Sequence, residues 1–310
     1  AVLAALRPDL LVFAKLDVWP ELVAQAVSRQ VPCALVAGTV LPDSGRLGWL
    51  ARTATHDAYA SLASVGAVGA DDVSRLVRLG AVPSRITITG DPRADAVVEG
   101  IDAVDPADPL CRLADDGATL VAGSTWPDDE AVVLAAFATV RTTHPHARLI
   151  LVPHEPTPAH LAALDAQIAA AALPAAVRLS AGIAAAQGAP IVIVDSVGAL
   201  ARLYRGAIGA WVGGGFGDAG VHSVLEPAAW SVPIAIGPRD RGAREAQRLA
   251  EAGALSRVHD AGMLAQVWRG WLAQPDARRA AGEAARAVVA QDVGAAQRTA
   301  ALLLPWLSAR

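Results

Sequence analysis

Several things are scarce in this chain of 310 residues, and each scarcity removes a class of protein. There are two cysteines, Cys33 and Cys111, far apart and without metal-ligand spacing. That argues against a disulfide framework and reads as free, small, partly buried thiols in a reducing cytoplasm. No apolar run approaches the roughly 20 residues that span a bilayer. The greasiest stretches, such as LVFAKLDVW, carry charges inside them. Positive charge is not in excess: 26 Lys+Arg against 30 Asp+Glu leave a net of −4 and no electrostatic case for nucleic acid. Neither a Walker loop nor a metal-ligand cluster is present, so no metal or other cofactor is expected. The opening AVLAALRPDL has no initiator methionine and no basic region ahead of its apolar residues. It reads as the inside of a helix without a signal peptide, and suggests a fragment whose front has been lost.

What the chain does have is alanine and rhythm. Hydrophobic residues make up 54%, much of it alanine, which suits helices more than a membrane protein. The length permits two domains with filled cores. Short apolar runs alternate with amphipathic stretches: LLVFA, then a helix over 19–30 with Pro20 in its first turn; CALVAG; SVGAVGA; a helix over 71–80; RITITG. Brief Val/Ile/Leu-rich runs of this kind are buried parallel strands. Residues 101–117, with prolines and five aspartates, break the pattern and read as a linker. Beyond it ATLVAGS, ARLILVP, APIVIVD, AIGAWVGGG and IAIGP continue the alternation, followed by a long Ala-rich helical tail. The expectation is α/β with two doubly wound Rossmann-like domains, 1–105 and 106–310, and ligands at the carboxyl ends of the strands.

Candidate residues therefore lie just past strands. In AGSTWPDDE, Gly123, Ser124 and Thr125 offer free N–H groups at a helix start, either as an anion seat or as an ordinary cap. In LVPHEP, His154 and Glu155 follow Pro153 in a stiff loop, functional or simply solvated. Asp195 and Ser196 follow a strand, with Gly198 opening the next helix; a plain cap is the alternative. WVGGGFGDAGVHSVLEP is the most telling stretch. Gly213, Gly214 and Gly215 end a strand, His222 and Ser223 stand at a helix start, and Glu226 lies one turn in. Backbone N–H groups behind glycines suit a nucleotide phosphate, and an ionised carboxylate, being acceptor only, suits ribose hydroxyls. The plain alternative is a turn with a dipole-complementing Glu226. In the first half Lys15 and Asp17 follow a strand and could pair with each other. Ser44 lies in VAGTVLPDSGR and Arg93 in TGDPRADAV; Arg93 could meet an anion or Asp95.

Taken in order, these segments resemble those of the bacterial 3-deoxy-D-manno-octulosonic acid (Kdo) transferases, glycosyltransferases of the GT-B fold. LDVWPEL resembles the family's acidic–x–Trp–Pro segment, VAGTVLPDSGR its Asn-Ala-Arg-x-Ser-x-x-Ser loop, and TGDPRADAV its Thr-Gly-Asn-x-Lys-x-Asp. AGSTWPDDE resembles Ala-Gly-Ser-Thr-x-x-x-Glu-Glu, LVPHEP stands where the family has Pro-Arg-His-Pro, and VHSVLEP where it has Gly-His-Asn-x-x-Glu. The resemblance runs from about residue 7 to the end. It implies an incomplete first domain that binds the acceptor, with Lys15, Asp17, Ser44 and Arg93 in its cleft. It also implies a second domain that holds the CMP moiety of CMP-Kdo as co-substrate, with Glu226 on the ribose. A lipid A-type acceptor, lipopolysaccharide biosynthesis and peripheral association with the cytoplasmic face of the inner membrane come with it. The family's general base would precede residue 1. Three departures stand out: Ser223 replaces the asparagine, the arginine before His154 is lost, and Lys15 stands among the acids before Trp-Pro. A UDP-N-acetylglucosamine 2-epimerase-like enzyme of the same architecture and a non-catalytic nucleotide- or glycan-binding relic are the alternatives.

Overall fold

A computed structural model of the chain describes residues 2–307. It divides into two compact units, one running to Ala96 and completed by the segment from Asp292 onward, the other spanning Val97–Gln291.

The first unit is a four-stranded parallel sheet, β1 (Leu11–Ala14), β2 (Cys33–Gly38), β3 (Ser64–Ala67) and β4 (Ile86–Ile88), in the order β1-β2-β3-β4. Helices Pro20–Val27, Trp49–Ala60 and Ala70–Leu79 connect the strands. Phe13, Leu35 and Val65 meet Val23, Tyr59 and Leu76 in its core. Cys33 is buried there, and burial pushes its thiol up to about 11, so it is a packing group with no nucleophile's poise.

The second unit is a seven-stranded parallel sheet. It comprises β5 (Thr119–Thr125), β6 (Arg148–Pro153), β7 (Val177–Arg178), β8 (Ile191–Ile193), β9 (Gly209–Val212), β10 (Ile234–Ile236) and β11 (Leu255–Arg257). The order is β11-β10-β9-β5-β6-β8-β7. Leu120 and Leu149 face one core, with Phe137 and Trp268; Val121 and Ile150 face another, with Leu203 and Tyr204. Burial on both faces is why these strands read as unbroken apolar runs. The chain moves outward from β5 through β6, then crosses back to lay β9 on the other side of β5. The carboxyl ends of β5 and β9 are thus the switch point of the sheet, where this architecture leaves a crevice.

Two expectations about organisation are corrected. Residues 101–117 are not a free linker. Pro109–Leu113 is a helix capped by Asp108, whose carboxylate accepts from the Leu110 N–H at 2.9 Å. Cys111, Leu113 and Ala114 are fully buried, and Arg148 fastens the segment by donating to the Leu113 carbonyl and to Asp116. The prolines and aspartates there are helix-start chemistry. Nor does the tail end within the second unit. Helix Ala295–Leu307 belongs to the first, where Asp95 accepts from the N–H groups of Gly294 and Ala296 at 2.5 and 2.7 Å.

Candidate functional site

Three neighbouring strands, β6, β5 and β9, end side by side, and their loops are stitched together by backbone bonds. The N–H of His154 donates to the Thr125 carbonyl at 2.9 Å, and that of Gly213 to the Gly123 carbonyl at 2.9 Å. The His222 N–H returns to the Gly213 carbonyl at 3.0 Å, folding the glycine loop back over the strand end.

Close packing explains the glycines. A Cβ on Gly213 would lie 2.2 Å from the Ser124 carbonyl oxygen, and one on Gly214 would lie 2.0 Å from that of Gly220. Gly214 also has φ +93°, a left-handed conformation that glycine adopts without cost. Gly215 packs on the backbone of Gly237, and Gly123 on the Tyr204 hydroxyl. All four are buried, so they bring loops together and offer a ligand no surface of their own.

The anion seat expected over 123–125 is occupied internally. Gly123–Thr125 is still strand, with Ser124 in a left-handed kink at φ +52°; the helix begins at Pro127 behind Trp126. Asp129 fills the helix start, accepting from the N–H groups of Trp126 at 3.1 Å and Gly214 at 2.7 Å. Burial raises its pKa against those hydrogen bonds. The Thr125 hydroxyl donates to buried Glu130 at 2.9 Å, and His160 holds the same carboxyl at 2.9 Å while its Nδ1 meets the Glu155 carbonyl. Of the three residues only Ser124 reaches the surface.

The helix expected at His222 begins at Leu225 and runs to Ala229. A five-residue helix carries little dipole, so the loop offers side chains and N–H groups in its place. Ser223 is exposed and accepts weakly from the Leu225 N–H at 3.4 Å. Glu226 is half-buried, no hydrogen-bond partner for its carboxylate is found among the described residues, and burial raises its pKa.

Above the strand ends three rings meet. The Trp126 indole N–H donates to Nε2 of His222 at 2.9 Å. His154 stacks on His222 with centroids 4.3 Å apart and lies tilted by 31° against Trp126 at 4.8 Å. Burial and the neighbouring His154 lower the pKa of His222. Glu155 is exposed beside them. Asp195 stands apart from this group. Although burial opposes it, two hydrogen bonds from Ser180 hold its carboxyl below the usual range, so it ties the β7 end to the β8 loop. Ser196 and Gly198 are exposed, and the next helix starts at Leu200, two residues later than expected.

In the first unit Lys15 and Asp17 do not pair. Asp17 accepts from Arg46 at 3.1 Å, and Arg46 also donates to the Leu16 carbonyl while its N–H reaches Ser44 at 3.4 Å. Arg93 forks onto Asp91 at 2.9 and 2.5 Å, while Asp95 accepts from the N–H groups of Gly294 and Ala296. Despite burial, the hydrogen bonds from Arg93 and the charges of Arg93 and Lys15 depress the Asp91 pKa.

Sequence reasoning missed Trp126, Asp129, Glu130 and His160. The available signal was the capping-box spacing from Trp126 to Asp129, which repeats in the first unit as Gly69 to Asp72, accepting there from Gly69 and Val40.

Parallel sheets of this build, with loops gathered at a switch point, define the class: an α/β protein of the GT-B fold. The family described as "3-Deoxy-D-manno-octulosonic-acid transferase (kdotransferase)" matches residues 1–96. The 3-deoxy-D-manno-octulosonic acid transferase of Bordetella pertussis is 33% identical over 305 residues, covering 94% of this chain and 68% of that protein. Among solved structures, the C-terminal CMP-Kdo binding domain of WaaA from Acinetobacter baumannii superposes with TM-score 0.53 at 22% identity, over 63% of this chain and 98% of that one. A putative UDP-N-acetylglucosamine 2-epimerase from Listeria monocytogenes shares the fold across 100% of this chain and 77% of its own, with TM-score 0.68 at 14% identity. The chain belongs to the Kdo transferase family. It is a glycosyltransferase.

Proposed function

We infer that the second unit holds the nucleotide of CMP-Kdo at the ends of β6, β5 and β9, and that the enzyme transfers Kdo to a lipid A precursor in lipopolysaccharide biosynthesis. The supporting observation is the stacking of His154 on His222 at the switch point of the sheet, with Glu226, whose carboxylate has no hydrogen-bond partner among the described residues, four positions after His222, in a chain of this family. An acceptor hydroxyl attacks the anomeric carbon of the sugar while the nucleotide phosphate leaves. Charge grows on that phosphate, and the His222 ring, held in place beforehand, lowers the barrier without reorganising. Glu226, an acceptor only when ionised, takes the ribose hydroxyls. Glu155 adjoins His154, whereas Asp195, tied to Ser180, and exposed Gly198 belong to the β8 loop. Lys15, Asp17, Ser44 and Arg93 are assigned to acceptor recognition in the first unit, with Lys15 the one most open to a ligand.

No group of three or more His, Cys, Asp or Glu with metal-holding geometry is found among the described residues, and the proposal requires no metal. No described helix is long and apolar enough to cross a membrane. Peripheral attachment at the inner membrane's cytoplasmic face is proposed from the family alone.

Calorimetric titration of the chain with CMP and with UDP tests the reading. CMP should bind in preference, and Glu226→Gln should weaken it about tenfold or more, as expected for lost charged hydrogen bonds. UDP preference would point to an epimerase-like donor, and CMP binding untouched by the substitution would remove Glu226 from the site. Transfer from CMP-Kdo to a lipid A precursor should persist in EDTA.

A further inference from the structure

The contact between Trp126 and His222 fixes more than their positions. An indole N–H can only donate, so the nitrogen it meets, Nε2 of His222, must present a lone pair. A neutral imidazole with a bare Nε2 carries its proton on Nδ1. Adding a second proton would set two N–H groups head to head at 2.9 Å. His154, stacked 4.3 Å away, further disfavours a charged ring. Among the described residues no hydrogen-bond partner is found for Nδ1 of His222. A flip of the ring would put Cε1 where Nε2 stands and would give up the Trp126 hydrogen bond. Trp126 is itself held, since Asp129 accepts its backbone N–H and that of Gly214, tying both sides of the contact to one carboxylate.

We propose that Trp126 is a positioning residue that locks His222 in the Nδ1–H tautomer, so that His222 meets the nucleotide phosphate as one directed, uncharged N–H donor. The part concerning phosphate rests on the function inferred above; the tautomer lock does not. The lock gives His222 the kind of preorganisation that makes hydrogen-bond donors effective at developing charge, since no ring flip or proton shift precedes the reaction. It also gives Trp126 a role that an aromatic ring without an N–H would not fill.

The test is nitrogen-15 NMR of the full chain with labelled histidine, assigned with His154→Gln and His222→Gln. In the wild type, Nε2 of His222 should resonate as an unprotonated ring nitrogen and Nδ1 as a protonated one. Trp126→Phe retains the ring and deletes the donor; it should shift His222 toward the Nε2–H form and weaken CMP binding about tenfold. Trp126→His, which restores an N–H, should recover part of both. Circular dichroism checks that each variant folds, and the wild-type spectrum stands as a test even where one does not. A wild-type His222 protonated on Nε2, or a Trp126→Phe protein with unchanged tautomer, overturns the lock. An intact lock in a protein that does not bind CMP at all would overturn the nucleotide assignment and leave the tautomer standing.

Discussion

At the residue scale, the half-buried Glu226 is a group whose stability cost and binding value oppose each other. Burial raises its pKa, so folding favours the protonated carboxyl. That contribution is complete below the ordinary glutamate range and is lost as pH rises through the raised value. Near pH 7.5 the ionised group is a liability to the fold, tolerable if a ligand uses it. Glu226→Gln should therefore melt higher than wild type at pH 7.5, by about 2–4 °C if the cost approaches 1 kcal/mol, and lose that advantage at pH 4. Differential scanning calorimetry at both pH values decides it; a lower melting point at pH 7.5 would mean that the carboxylate is structural. Glu226 was legible in the sequence because a carboxylate following a glycine-rich strand end is an unusual pattern. Trp126 was not, because a tryptophan before a proline looks like any helix entry until the fold sets it beside a residue 96 positions away.

At the element scale, the glycine loop and the β5 end behave as one packed object. Gly213→Ala must push its methyl into the Ser124 carbonyl and should cost about 1–3 kcal/mol of stability. Gly270→Ala, in the helix Ala261–Ala273 with nothing within 4 Å of the new methyl, should gain about 0.5–1 kcal/mol. Urea unfolding of the two proteins makes the comparison, and equal losses would refute the packing account. Glu130→Gln places an amide where the Thr125 hydroxyl and His160 require acceptors. It should cost about 1–3 kcal/mol by leaving a buried donor unmatched, and should loosen the 153–160 loop in hydrogen exchange. The glycines drew attention in the sequence as backbone that must come near something. They mark a close approach, but it is backbone against backbone, and only three-dimensional neighbours distinguish that from a seat for phosphate.

At the scale of the whole molecule, the chain closes its first unit with its last helix. Asp95 accepts from two N–H groups at the start of Ala295–Leu307, and Arg298 donates to the Thr89 carbonyl at 2.9 Å. Asp95→Ala should release that helix start at a cost of about 0.5–2 kcal/mol. Faster amide exchange over 295–307, with strand amides of β5 unchanged, would register it; no change in exchange would show the helix to be held by apolar contacts alone. The alternation of short apolar runs with amphipathic stretches was enough to establish parallel sheets, because strands buried on both faces must be continuously apolar and their connecting helices one-sided. The local order of motifs was enough to establish the family. Strand order, the exchange of the chain's end between units, the two- and three-residue strands β7 and β11, and the ring cluster of Trp126, His154 and His222 were decided only by tertiary structure. Periodicity records which face of an element is buried, whereas these features depend on which element lies opposite, and no local pattern carries that information.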